Sequence, residues 1–458
     1  MNMEYTELRE KYQNFYYHAY TVFEAETNIR IRYAFSIEGL GEFHPEWIIP
    51  KPAKEMIGNY RSLREAAFSL GLVELISYWK LTCSPHVWIQ CGTLNDAQKQ
   101  WWKKLYFNGL GEFFYRNQIE ADLSTFMDLR TTGIKIDGDQ DMREFAGNLI
   151  PVGGGKDSFV TMDLLQEEMQ KNHVFVINAV ASAVHSAQAA GYDGDRLILA
   201  KRTLDPAMLE LNRQGYLNGH TPFSALAAFA STLTALVYRK RYVILSNEAS
   251  ADEATVKDST VNHQYSKTFA FEGDFDAYFQ TYISKKVFYF SLLRPLSELQ
   301  ITGMFSRLKS FHNVFRSCNV GQKDEIWCGH CAKCLFVYIM LSAFLTDTEL
   351  CKIFGTDMLN DRSMQPLFEQ LSGIQDNKPF ECVGTRDEVN TAICMSIRRH
   401  QKAGMTLPYL YQLYSRTSYY AAYRERQVQY IKGNEKHHLP EHFQALLRRR
   451  LKEMEEYA

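Results

Sequence analysis

The sequence predicts an α/β protein: a parallel sheet flanked by helices, with an N-terminal α+β region and a helical C-terminal region. Three observations lead there. A short apolar run, Asn148-Leu149-Ile150, ends at Gly153-Gly154-Gly155, and apolar residues at helical spacing follow. Apolar runs then alternate with helical patterns as far as about residue 246, which is how βαβ units read. Ahead of them, residues 28–35 alternate apolar and polar side chains, the mark of a half-buried strand. The organisation expected is an α+β region over 1–140, an α/β unit over 141–350 and a helical region over 351–458.

Composition bounds the function. The chain has 458 residues, 46% of them hydrophobic and 14% aromatic, ample for a large core. A formal net charge of −2 argues against a broad nucleic-acid footprint. The first ten residues carry Glu4, Glu7, Arg9 and Glu10, too much charge for a signal peptide, and no apolar run reaches membrane-spanning length. The cysteine count is nine, an odd number, and Cys318, Cys328, Cys331 and Cys334 crowd into one short stretch. That pattern favours a metal cluster in a reducing cytoplasm over a disulfide framework.

In chain order, the strand at 28–35 turns at Gly39-Leu40-Gly41 and returns at Trp47-Ile48-Ile49 as a hairpin. Residues 60–80 read as a helix, 86–90 as a strand, and a second helix starts near Asn95, with Trp101 and Trp102 as core residues. Beyond the glycine turn come strands at 174–180 and 196–200, a long apolar helix from Pro222 to about Tyr238, and a strand at 242–246. Proline in its first turn suits that helix. Ligands of such sheets lie outside the carboxyl ends of the strands. The chemically loaded stretches fall there: the glycine turn, Asn178 to Ser182, Gly219-His220-Thr221 before the long helix, and Asn247 to Glu253 after Ser246.

The glycine turn is built for an anion. Glycines let backbone approach it closely, and the new helix points free N–H groups and its positive dipole end at it. Lys156 adds charge, Asp157 and Ser158 are placed to cap the helix, and Asp157 is a candidate Mg²⁺ ligand. The spacing is not Walker A. Gly153-Gly154-Gly155-Lys156-Asp157-Ser158 resembles instead the PP-loop of the N-type ATP pyrophosphatases, usually Ser-Gly-Gly-x-Asp-Ser, with Gly153 where serine is usual. The resemblance implies splitting of ATP between its α and β phosphates, the phosphates on residues 153–158 and the adenosine near Asn178 and Ser182. A glycine turn without a ligand is the plain alternative.

Four cysteines spaced Cys-x9-Cys-x2-Cys-x2-Cys suit a closed tetrahedral Zn²⁺ site of structural type. An iron–sulfur cluster uses the same ligands, and His330 could replace one cysteine. Glu248, Asp252 and Glu253 read either as Mg²⁺ ligands acting with Asp157 or as helix-start acids. His220 and His263 are candidate acid–base groups, or structural histidines.

Several stretches together are similar to one PP-loop family. They include residues 218–224, 246–248, 261–267, 293–299, 315–319, 327–334 and 379–385, and they resemble the UDP-N-acetylmuramoyl-L-alanyl-L-glutamate epimerases of bacterial cell-wall synthesis. The resemblance implies conversion of the terminal L-Glu of a nucleotide-sugar peptide to D-Glu, with ATP and Mg²⁺, through adenylation of the α-carboxylate. Lys156, Asp157, His220, Asp252 and His263 are then candidate catalytic groups. Glu248 and Gly219 are candidate contacts to the nucleotide, and Arg294, Arg316 and Lys267 to the substrate's anionic groups. A 7-cyano-7-deazaguanine synthase-like ligase shares the loop and a cysteine site and is the alternative.

Overall fold

The computed structural model describes residues 4–52, 56–249, 265–318, 320–321, 324–376, 379, 381, 383–429 and 433–456. Among them run eleven strands: β1 (Asn14–Glu24), β2 (Asn28–Ile37), β3 (Gly41–Phe43), β4 (Glu46–Pro50), β5 (His86–Ile89), β6 (Asp128–Thr131), β7 (Asn148–Pro151), β8 (Asn172–Ile177), β9 (Leu197–Thr203), β10 (Tyr242–Leu245) and β11 (Phe288–Ser291). All belong to one sheet, ordered β11-β10-β7-β8-β9-β4-β2-β1-β5-β6, with β3 beside β2. The five strands from β11 to β9 are mutually parallel. The N-terminal half mixes antiparallel and parallel pairs.

The parallel half is buried on both faces, as such strands require. Leu149, Phe175, Val243 and Tyr289 face a core shared with the N-terminal region and the helix Phe223–Val237. Their chain neighbours Ile150, Val174, Ile244 and Phe290 face the helices of the C-terminal region. Most of the described residues beyond 350 are helical. No helix among the described residues is long and apolar enough to cross a membrane.

Strand β1 was not anticipated, yet it pairs with both β2 and β5. Its tyrosines fall on both faces, Tyr17 inward and Tyr16 outward, which blurs the period-2 signal. The join between the halves is the antiparallel pair β4–β9, with Trp47 opposite Arg202. Beneath it lies a buried polar knot. Arg202 grips Glu74 of the helix Arg61–Trp79 with Nε at 2.9 Å and Nη2 at 2.7 Å, and Trp47 Nε1 donates to the same carboxylate at 2.9 Å. Glu74 is fully buried. Breaking such a pair strands a charge, so Glu74→Gln is expected to lower unfolding free energy by about 3 kcal/mol in urea titrations. An unchanged midpoint would show that the knot adds nothing to stability.

Candidate active site

In chain order the parallel strands lie 3-2-1-4-5, with β7 first and β10 fourth. The chain leaves β7 toward β9, then returns to the other side of β7 at β10. The gap between the carboxyl ends of β7 and β10 is therefore the switch point, where doubly wound sheets bind ligands. The glycine loop follows β7, and Ser246-Asn247-Glu248 follows β10.

The loop needs its glycines. Gly154 has φ +88°, and a Cβ there would lie 2.9 Å from the Ser182 carbonyl carbon. A Cβ on Gly155 would meet Ser317 Oγ at 2.8 Å, while one on Gly153 meets nothing. Gly154→Ala is accordingly expected to cost about 2 kcal/mol or more in stability. A native urea midpoint in the variant would contradict this. Helix Lys156–Leu164 starts at Gly155 without a side-chain cap. The expected capping by Asp157 and Ser158 does not occur, because both lie inside the helix. Ser158 Oγ instead accepts the Gly153 N–H at 3.4 Å.

Asp157 meets two acids from elsewhere. Its carboxylate, that of Glu248 and that of Glu298 each present an oxygen within 4.8 Å of the others. Buried Lys156 bonds Asp157 and, at 2.7 Å, Glu298. Burial works against the Lys156 ammonium, but Asp157 and Glu298 outweigh it and hold its pKa above the ordinary lysine value. Burial pushes the Glu298 carboxyl up to about 8, with Lys156 opposing and Asp157 and Glu248 adding to the rise. With Glu298 ionised as well, three carboxylates and one ammonium would carry two formal negative charges, the complement of a divalent cation. Glu298 was missed in the sequence. It sits just after the cap Ser297 of the helix Glu298–Arg307, where an acid reads as ordinary dipole compensation.

Arg294 does not reach outward for an anion. It is fully buried, pairs with Glu272 at 2.9 Å, and donates to the carbonyls of Glu248 and Lys267 at 2.6 Å. It therefore positions Glu248. Beside the loop, a cavity of ≈ 360 Å³ is lined by Val152, Gly153, Val180, Phe223, Ala227 and Asn247, among others. Phe223, 51% exposed, is a flat apolar group at its edge and was also missed. A larger cavity, ≈ 870 Å³, lies on the N-terminal strands beside Tyr20, Met56 and Ile134, and no loop, acidic-trio or cluster residue lines it.

Asn178 (φ +61°) turns the chain after β8, and its Oδ1 accepts the Arg202 N–H at 2.6 Å. Its side chain thus serves the turn. Ser182 is fully buried against Gly154, and its Oγ has no hydrogen-bond partner among the described residues. Gly219 and His220 precede the helix that carries Phe223. Asp252 and His263 lie outside the described residues.

The four cysteines converge. The sulfurs of Cys318, Cys328, Cys331 and Cys334 lie within 4.8 Å of one another, with Cys328–Cys334 at 3.6 Å and Cys331–Cys334 at 3.4 Å. Tetrahedral zinc with bonds of about 2.3 Å needs sulfurs roughly 3.8 Å apart, so the donor set fits. Gly329 (φ +74°) makes the turn inside the cluster. The Cys334 thiol and amide pull the Cys331 thiol down to about 5. His330 is not among the converging donors: its Nδ1 contacts the Cys328 carbonyl at 2.7 Å and the side chain is exposed. The cluster also anchors the loop, because the preceding Arg316 donates its N–H to the Gly154 carbonyl at 2.9 Å.

Fold and site together define an α/β protein whose glycine loop, acidic trio and apolar cavity meet at the switch point of a doubly wound sheet. Residues 6–292 match the family model of the MurL N-terminal domain, and residues 311–425 that of the MurL C-terminal domain. Three relatives bear the name UDP-N-acetyl-alpha-D-muramoyl-L-alanyl-L-glutamate epimerase. That of Xanthomonas oryzae pv. oryzae is 33% identical over 349 residues, 74% of this chain and 76% of its own. That of a Micromonospora species is 32% identical, covering 72% and 74%, and that of Salinispora tropica 32% identical, covering 71% and 72%. The chain belongs to the MurL family.

Proposed function

We propose that this chain epimerises the terminal L-Glu of UDP-MurNAc-L-Ala-L-Glu to D-Glu, in peptidoglycan precursor synthesis, by adenylating the α-carboxylate with ATP. What carries the reading, in a chain whose relatives bear that epimerase name, is the meeting of the glycine loop and three carboxylates at the switch point. The chemistry calls for such a site. The α-proton of a free carboxylate is very weakly acidic, because its loss sets a second negative charge beside the first. Joining AMP to that carboxylate neutralises it and turns its carbonyl into an electron sink.

Residues 153–158 act as a PP-loop, taking the phosphates on the N-terminus of the helix Lys156–Leu164. Asp157, Glu248 and Glu298 are the residues that would hold Mg²⁺, which when bound offsets phosphate charge. The cavity beside Phe223 takes the adenine, a planar apolar group that stacks on an aromatic face. Arg294 fixes Glu248, and Lys156 ties Asp157 to Glu298. The four cysteines are the residues that would hold a structural Zn²⁺, and the preceding Arg316 rests on the loop through its N–H to the Gly154 carbonyl.

The test is incubation with ATP, Mg²⁺ and UDP-MurNAc-L-Ala-L-Glu in D₂O, followed by hydrolysis and chiral analysis of glutamate. D-Glu carrying α-deuterium, with AMP formed alongside, is expected. L-Glu without deuterium would refute the reading.

A further inference from the structure

The turn before the helix Phe223–Val237 is gripped from the N-terminal half of the chain. Lys80 Nζ, buried, donates to the Gly219 carbonyl, to the His220 carbonyl at 3.2 Å and to Thr221 Oγ1 at 2.7 Å. Asn117 Nδ2 donates to the Asn218 carbonyl at 3.2 Å. Gly109 lies so close to Pro222 that a Cβ there would be 2.8 Å from the ring. Five contacts on five residues fix the turn ahead of Phe223 and Ser224, which line the cavity.

His220 stands in the middle of this turn with its side chain 22% exposed. Its Nδ1 lies 3.4 Å from Glu112 Oε2, and the other Glu112 oxygen lies 2.5 Å from Arg116 Nε. Glu112 is buried. A carboxylate on Nδ1–H fixes the tautomer that leaves the lone pair on Nε2, and it steadies the imidazolium once Nε2 takes a proton. A nearly buried carboxylate, a histidine beside it and a braced backbone stand three residues ahead of Phe223, which lines the cavity.

We propose that His220 carries a proton in the epimerisation and that Glu112 is its positioning residue; this rests on the epimerase reading. At the activated glutamate the Cα–H bond breaks, its electron pair passes into the acyl carbonyl, and the proton goes to Nε2. A solvent-derived proton bonds Cα on the opposite face as the pair returns. Water then attacks the carbonyl carbon and gives its protons to solvent, the acyl C–O bond breaks with its electron pair leaving on the AMP phosphate, and the imidazolium releases its proton to solvent. The N-terminal half thereby has a role in the chemistry: it holds the proton carrier to a cleft built on the parallel half.

The full-length protein is assayed with ATP, Mg²⁺ and UDP-MurNAc-L-Ala-L-Glu in D₂O, reading AMP, α-deuterium and glutamate chirality separately. His220→Asn is expected to keep forming AMP within about tenfold of wild type while D-Glu formation falls by about 10²–10⁴-fold. Equal losses of AMP and D-Glu would mean a structural role, and unimpaired D-Glu would mean none; either overturns the proposal. In Glu112→Gln the acid limb of the pH–rate profile for D-Glu should move to lower pH, and Glu112→Asp should move it back. An unmoved limb would remove Glu112 from the assignment. Wild-type protein that forms no D-Glu overturns the epimerase reading and this proposal with it. Wild-type epimerisation together with a fully active His220→Asn overturns this proposal alone.

Discussion

Asp157→Ala is expected to lower ATP-dependent pyrophosphate release by about 10³-fold while the circular dichroism spectrum stays native. Asp157 is the one member of the acidic trio carried on the loop helix itself, at its first turn. It shares Lys156 with Glu298, so its loss removes a cation ligand and also frees the ammonium to close on Glu298 alone. The side chain is 31% exposed, which lets the fold tolerate its removal. Pyrophosphate release by a continuous coupled assay, at saturating Mg²⁺, decides the matter. Wild-type turnover in a folded variant would take the glycine loop out of the mechanism.

Cys331→Ser should lose zinc and, with it, about 4 kcal/mol or more of stability. Cys331 is both a member of the cluster and the N-cap of the helix Ala332–Ser342, with its sulfur accepting the Cys334 N–H at 3.4 Å. The same helix is buried along nearly its whole length in the C-terminal core. Metal loss therefore loosens a core helix and the residues 315–317 that rest on Gly154 and Gly155. Metal analysis and thermal melting should fall together, and ATP affinity should follow them. Wild-type protein without zinc would refute the assignment, and iron with sulfide in its place would make the site a cluster of another kind.

The glycine loop, the long apolar helix and the four-cysteine stretch were legible because each is a local pattern. A strand-to-helix turn, a run of buried residues and a close ligand spacing are all written within a few consecutive residues. Most strands were legible for the same reason, whereas β11 (Phe-Tyr-Phe-Ser) is a short apolar run with no period to read. Glu298, Phe223 and Glu112 were not legible as site residues. An acid after a serine cap, an aromatic at a helix start and an acid inside a short helix are each ordinary in sequence.

By itself the sequence determined the α/β class, the parallel strands around 148–246, the anion-suited loop and the cysteine cluster, since all follow from spacing along the chain. Only the tertiary structure decided that β4 and β9 fuse two halves into one sheet. It alone decided that Glu298 completes the trio with Asp157 and Glu248, and that Glu112 faces His220. The physical reason is shared. These are meetings between segments far apart in the chain, set by how two hydrophobic faces of one sheet are covered, and no local propensity encodes which distant side chains that burial brings together.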